Sequence, residues 1–222
     1  MSINNDDVNP PVGRSRGRPA LPLDRILGAA LELVDEEGAE ALSMRSLAQR
    51  LGSGTATLYR HFANRAELVA MVVDRMLGEV VIADDPSLPW DEACISFAHS
   101  MFGALGRHGN AAPLLIGHIP MGPNAMAQRE FVLGVLLGNG FSAESAARTY
   151  ATLSRFILGF AMQVSASAVT EQSDAAAAAA FGRLDSGSYP ATAEVAGHLP
   201  VPLADEFDFG LRLIVDGLAR RA

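Results

Sequence analysis

Between Leu42 and Phe62 the chain has room for two short helices parted by a tight break, and that arrangement constrains the fold more than any other stretch. Ser43 offers a side-chain oxygen to cap a helix through Leu51, with Leu47, Ala48 and Leu51 on its inner face. Gly52-Ser53-Gly54 breaks that helix, because glycine loses the most backbone freedom when held in one. A second short helix is expected from Thr55 to Phe62, where Leu58 and Phe62, four residues apart, share a face. Upstream, Leu23, Ile26, Leu27, Ala30, Leu31 and Val34 form the apolar stripe of a longer helix, which Glu36-Glu37-Gly38 ends. A long helix followed by two short ones across a glycine-containing turn has the pattern of a helix-turn-helix.

Helical patterning continues to the C-terminus. Asn64-Arg65-Ala66-Glu67 has the spacing of a capping box and opens a helix expected to reach about Val81. The segment from Ala83 to Pro89 reads as a connection. Further helices are expected from Trp90 to about Arg107, Ala112 to about His118, Asn124 to Leu137, and Ala143 to about Val169. Residues 170–203 are rich in Ala, Ser, Gly and Pro and read as a mobile loop, with a six-alanine run at 175–180 suited to a helical turn or two. A last helix begins at Asp205 and Glu206 and ends at Arg220 and Arg221, charges that complement the helix dipole. With no convincing strand alternation, the expected fold class is all-α. Its divisions are a flexible basic arm at 1–20, a helix-turn-helix domain at 21–68 and a second helical domain at 69–222.

The net charge of −8 looks unfavourable for a chain that touches nucleic acid until it is mapped. All 17 basic residues are arginine. Arg45, Arg50, Arg60 and Arg65 lie between Ala41 and Arg65 with no acid among them, and Arg14, Arg16 and Arg18 likewise stand together. From Met76 onward eight Arg face fifteen Asp plus Glu. A local cationic footprint serves phosphate binding better than the whole-chain charge suggests. No apolar run is long enough to span a bilayer uncharged, the N-terminus lacks the apolar core of a signal peptide, and Cys94 is the sole cysteine, which together point to a reducing cytoplasm.

Enzyme chemistry finds little support. No glycine-rich phosphate loop, paired-carboxylate motif or Ser/His/Asp order stands out. The histidines at 61, 99, 108, 118 and 198 lack the spacing of a zinc site. Cys94, between Ala93 and Ile95, could serve as a thiol switch, although a lone cysteine in such company more often packs as a small hydrophobe.

A helix that enters a major groove must be slim and supported from behind. Thr57, Tyr59 and His61 carry groups suited to phosphate oxygens, and Arg60 suits either a phosphate or a guanine edge. Arg45, near the start of the preceding helix, is placed for a base edge or the backbone. A helical hairpin with a solvated basic face fits the same spacing. The residues themselves are less generic. Leu42 through Gly52, then Ala56-Thr57-Leu58-Tyr59-Arg60-His61-Phe62, then Asn64-Arg65-Ala66-Glu67-Leu68, closely resemble the tetracycline-repressor (TetR) family. By that resemblance Arg45, Thr55, Thr57, Tyr59, Arg60, His61 and Arg65 fall where the family touches DNA. Arg16-Gly17-Arg18-Pro19 resembles an AT-hook core suited to a narrow minor groove, and a tail with incidental charge fits those residues as well.

The C-terminal half resembles the tetracycline-repressor type of ligand domain over Trp90–His108, Pro113–Pro120, Gly140–Phe160 and Phe207–Leu218. The resemblance implies a homodimer in which the helices at 143–169 and 205–221 pair with their mates, reading a palindromic double-stranded operator. The nearly all-round apolar run Phe156–Met162, with Gly159 and Ala161 allowing close approach, fits such a buried helix. It also implies a pocket for a small-molecule effector lined by Phe97, Met101, Leu105, Leu115, His118, Ile119, Met121, Val132, Tyr150, Phe156 and Gln163. Where the tetracycline repressor holds drug-bound magnesium through a His and a Glu, Leu115 and Gln163 stand here, so the expected effector is hydrophobic, with no metal or cofactor. The helix opened by Asn64 is the expected lever between pocket and reading head. Together these residues imply a ligand-responsive repressor rather than an enzyme, with no membrane partner.

Overall fold

The structure, a computed structural model, describes residues 21–82, 85, 87–116, 119–166 and 170–220. The basic arm, with Arg14 to Arg18, and His118 lie outside the described residues. Within them every regular element is a helix.

Helix α1 (Leu23–Glu37) buries Ile26, Leu27, Ala30, Leu31, Leu33 and Val34. Gly38, at φ 88°, ends it by donating its N–H to the Val34 carbonyl at 2.7 Å, a conformation open to glycine without strain. After a single 3₁₀ turn (Ala39–Ala41), helix α2 (Met44–Arg50) starts with a reciprocal box. The Ser46 N–H donates to Ser43 Oγ at 3.1 Å, and the Ser43 N–H donates to Ser46 Oγ at 3.0 Å. Gly52, at φ 58°, makes the turn. Helix α3 (Thr55–Leu58) stops four residues before the expected Phe62. There the backbone tightens to three-residue spacing, with the His61 N–H reaching the Leu58 carbonyl at 2.8 Å, so that Phe62 still plugs the core while the chain swings round to Asn64.

Helix α4 (Arg65–Leu77) is capped by the Asn64 side chain and ends at Gly78, short of the expected Val81. Glycine, a poor helix former, stands where the helix ends, and a side chain at 78 would meet the Asn124 amide at 2.9 Å, because the start of the sixth helix packs against this end. Helix α5 (Trp90–Arg107) runs as expected. In place of an α-helix from Ala112, the chain forms a 3₁₀ stretch over Gly109–Leu115, which contains Pro113, a residue with no N–H to give an α-helical ladder. Helices α6 (Pro123–Gly138) and α7 (Ala143–Ala166) follow.

The segment read as a loop at 170–203 instead contains helices α8 (Thr170–Phe181) and α9 (Pro190–Val195). The six consecutive alanines, the best helix formers, prevail there over the loop-like overall composition. Helix α10 (Leu203–Ala219) closes the chain.

One apolar core runs through the molecule. It begins around Ile26, Leu42, Leu47, Leu58 and Leu68, passes along α4 through Val72 and Met76, and continues to Phe97, Leu136, Leu153, Ile157 and Leu211. At its far end Phe207 of α10 stacks on Phe102 of α5, ring centres 4.2 Å apart, and packs on Phe156 and Phe160 of α7. Gly210 admits this cluster, since a Cβ there would stand 2.9 Å from the Phe156 ring.

Candidate nucleic-acid interface and buried cavity

The reading head separates its anchors from its reach. Leu47, Ala48, Leu58 and Phe62 are buried, while Thr55, Tyr59 and Arg60 turn outward. Arg45, Thr55, Tyr59, Arg60 and Arg65 are exposed, with Thr57 and His61 half-buried beside them. Tyr59 is 57% exposed, which leaves its ring and hydroxyl facing solvent from a helix only four residues long. The short α3, standing on Leu58 and backed by α2, is thin enough to lie in a major groove.

The arginines of this region divide by what they bind. Arg50 makes two hydrogen bonds of 2.7 Å to the Glu36 carboxylate, a fork-to-fork pair that ties α2 to α1 and holds the Glu36 carboxyl below the usual carboxylate range. Arg65 donates through Nε to the Leu42 carbonyl at 2.6 Å and through Nη2 to Ala39, bracing the start of α4 against the chain before α2. Arg45 and Arg60 have no carboxylate partner among the described residues. An unneutralised guanidinium on a convex face is the group a phosphate or a guanine edge can engage.

Two polar junctions join this head to the rest of the molecule. In one, the Asp74 carboxylate of α4, 9% exposed, accepts the Ala125 N–H at 3.0 Å and the Asn124 side-chain amide at 3.1 Å, capping the start of α6. Gln128 of α6 donates to the Leu77 carbonyl at the end of α4. Sequence patterning gave no sign of this junction, because its members lie 50 or 51 residues apart. In the other, His108 stands between two acids, with Nδ1 2.8 Å from Asp35 of α1 and Nε2 3.1 Å from Glu79 beyond α4. Burial works against ionisation of Glu79, but His108 and Arg107 outweigh it and hold the carboxyl below its ordinary value.

Between α5, α6 and α7 lies a cavity of about 470 Å³. Six of the residues expected to line it do so, namely Phe97, Met101, Leu105, Leu115, Ile119 and Tyr150. Gln128, Arg129, Ser154 and Arg155 join them as a polar side that the sequence pattern did not reveal. Met121 faces instead a neighbouring cavity of about 820 Å³ against α4, and Leu115, Ile119 and Pro120 form a wall common to both. Val132 is buried in the core, Phe156 packs on Phe207 and Phe160, and Gln163 is exposed, so none of the three reaches the cavity. Their helical spacing was right, and the rotation of each helix about its axis decided otherwise. Cys94 is buried in the core, where burial first and the Asp91 charge second push its thiol up to about 11, which works against a reactive thiolate. No helix among the described residues is long and apolar enough to cross a membrane.

Comparison with known proteins agrees with this geometry. Residues 26–72 match the family model "Bacterial regulatory proteins, tetR family", and residues 83–222 match "Tetracyclin repressor-like, C-terminal domain". An HTH-type transcriptional regulator of Saccharopolyspora erythraea is 33% identical over 219 residues, covering 96% of this chain and 90% of its own. The tetracycline repressor protein class A from transposon 1721 of Escherichia coli is 32% identical over 88% of this chain and 89% of its own. Among solved structures, the TetR family protein ActR of Streptomyces coelicolor in complex with actinorhodin superposes with a TM-score of 0.84 at 32% identity, covering 92% of this chain and 98% of that one.

Proposed function

From the premise that this chain belongs to the TetR family of bacterial transcriptional regulators, we propose that it is a repressor that leaves its operator when a small molecule fills the cavity between α5, α6 and α7. The observation that carries this reading is the course of α4. It starts in the reading head at the Asn64 cap, and its far end is bound to α6 through Asp74 and Gln128, next to the wall formed by Leu115, Ile119 and Pro120. A ligand can shift such an equilibrium only by binding one arrangement better than the other, and that wall offers the differential contact. Arg45, Thr55, Thr57, Tyr59, Arg60 and His61 are the proposed DNA contacts, with Arg65 bracing the loop behind them.

A single α3 reads only a short half-site, so the active species is a homodimer on a palindromic operator. Met162 of α7 and Phe209 and Leu213 of α10 are exposed large apolar groups, and Gly159 opens on empty space. A second copy covering these two helices accounts for them. The protein works in the cytoplasm and binds its effector without transforming it.

The test is binding of the purified protein to the DNA upstream of its own gene against a scrambled duplex of equal length and salt. Selective binding, at least tenfold weakened by Tyr59→Ala, is the expected result. Equal and weak binding to both duplexes would show that the operator does not lie there and direct the search to distant sites.

A further inference from the structure

The cavity between α5, α6 and α7 is largely apolar, yet two arginines and no acid line it. Arg129 of α6 is half-buried, and its partners among the described residues are all neutral. Its Nη2 donates to the Pro120 carbonyl at 2.9 Å, its Nη1 points to the Met126 sulfur at 2.7 Å, and its guanidinium carbon stands 5.5 Å from the centre of the Tyr150 ring. Arg155, exposed and one helical turn and a residue beyond Tyr150 on α7, donates to the Ala151 carbonyl of its own helix and has no other partner among the described residues. Elsewhere Arg50, Arg75, Arg107 and Arg148 each hold a carboxylate. Neither Arg129 nor Arg155 has a carboxylate within ion-pair distance among the described residues, and Asp74 and Glu79 are committed elsewhere, Asp74 capping α6 and Glu79 facing His108 and Arg107. A cation beside an apolar space and without a counter-charge lowers its free energy by taking an anion, more so where water is displaced.

We propose that the effector is a predominantly apolar molecule bearing one anionic group, and that Arg129 and Arg155 receive that group while Phe97, Met101, Leu105 and Tyr150 receive the apolar body. The proposal rests on the reading of this cavity as the effector site and adds the charge. It refines the expectation of a hydrophobic effector. The Arg129 guanidinium carbon stands 5.5 Å from the centre of the Tyr150 ring, and its N–H groups not engaged by Pro120 and Met126 can donate to a carboxylate or sulfonate.

The test uses two probes with the same ring systems, anilinonaphthalene sulfonate and its neutral counterpart phenylnaphthylamine, titrated by fluorescence into the full chain. The sulfonate is expected to bind about tenfold tighter or more, the scale of a charge-assisted contact. Arg129→Gln and Arg155→Gln should each bring its Kd toward that of the neutral probe and leave the neutral probe within about twofold. Ala151→Trp, which fills the cavity, should abolish binding of both. If Arg129→Gln melts early, Arg155→Gln carries the test, since among the described residues Arg155 bonds within its own helix alone. Equal affinity for the two probes, or a preference that survives both arginine variants, would overturn the proposal while leaving the cavity intact as the effector site. Binding of both probes that Ala151→Trp does not touch would remove the cavity reading as well.

Discussion

Arg60 and Arg50 carry the same charge and lie ten residues apart, yet they have different fates. Arg50 is used inside the head, forked onto Glu36, whereas Arg60 stands exposed next to Tyr59 without a carboxylate partner among the described residues. A guanidinium that meets a phosphate releases counterions, and one that reads a guanine edge discriminates bases. Arg60→Ala is therefore expected to weaken operator binding by about 1–3 kcal/mol in one of two recognisable ways. Uniform loss over all sequences with a salt slope about one unit shallower marks a phosphate contact, and relaxed preference at one base pair marks a base contact. Unchanged affinity and slope, measured by fluorescence anisotropy over a salt series, would remove Arg60 from the interface.

At the scale of elements, the start of α6 matters most, because it fastens the lever. Gly122 lies against the Asp74 carboxylate, and a Cβ at that position would overlap it. The absence of a side chain thus lets an α4 carboxylate reach the Ala125 N–H and supply the cap that α6 lacks from its own sequence. Gly122→Ala is expected to destabilise the protein by about 1–3 kcal/mol in urea unfolding, through overpacking and loss of the cap. Because it loosens α4 from α6, it should also weaken the coupling between cavity occupancy and DNA release. A variant as stable as the parent would show that α6 starts without Asp74.

Over the whole molecule, His108 ties α1 to the chain beyond α4 through Asp35 and Glu79, with Arg107 of α5 alongside. The carboxyl of Glu79 titrates below its ordinary value in the folded state, so its contribution to stability is complete above the unfolded value and fades as the pH falls through the folded one. Glu79→Gln should therefore lower the melting temperature at neutral pH and leave a smaller difference from the parent in acid. With the side chain 39% exposed, solvent screening keeps the effect below about 1 kcal/mol. A parent and variant that differ equally at all pH values would show that the carboxylate charge is not what His108 uses.

What the sequence determined by itself was local. Capping serines and asparagines, glycines at turns and apolar stripes place α1, α2, α5, α6, α7 and α10 close to their observed bounds, because those signals act over a few residues. The outward residues around Leu58 were legible for the same reason, since two buried anchors four apart leave little choice of face. Helix α8 is longer than the helical turn or two expected of its alanine run, where overall composition was weighed above local propensity. Only the tertiary structure decided which helix faces meet. That choice put Tyr150 and Arg129 together at the cavity, turned Phe156 and Gln163 away from it, and brought Asp74 to Ala125. A helix repeats every 3.6 residues whatever it packs against, so its rotation about its own axis is set by its neighbours, and those lie far away in the chain.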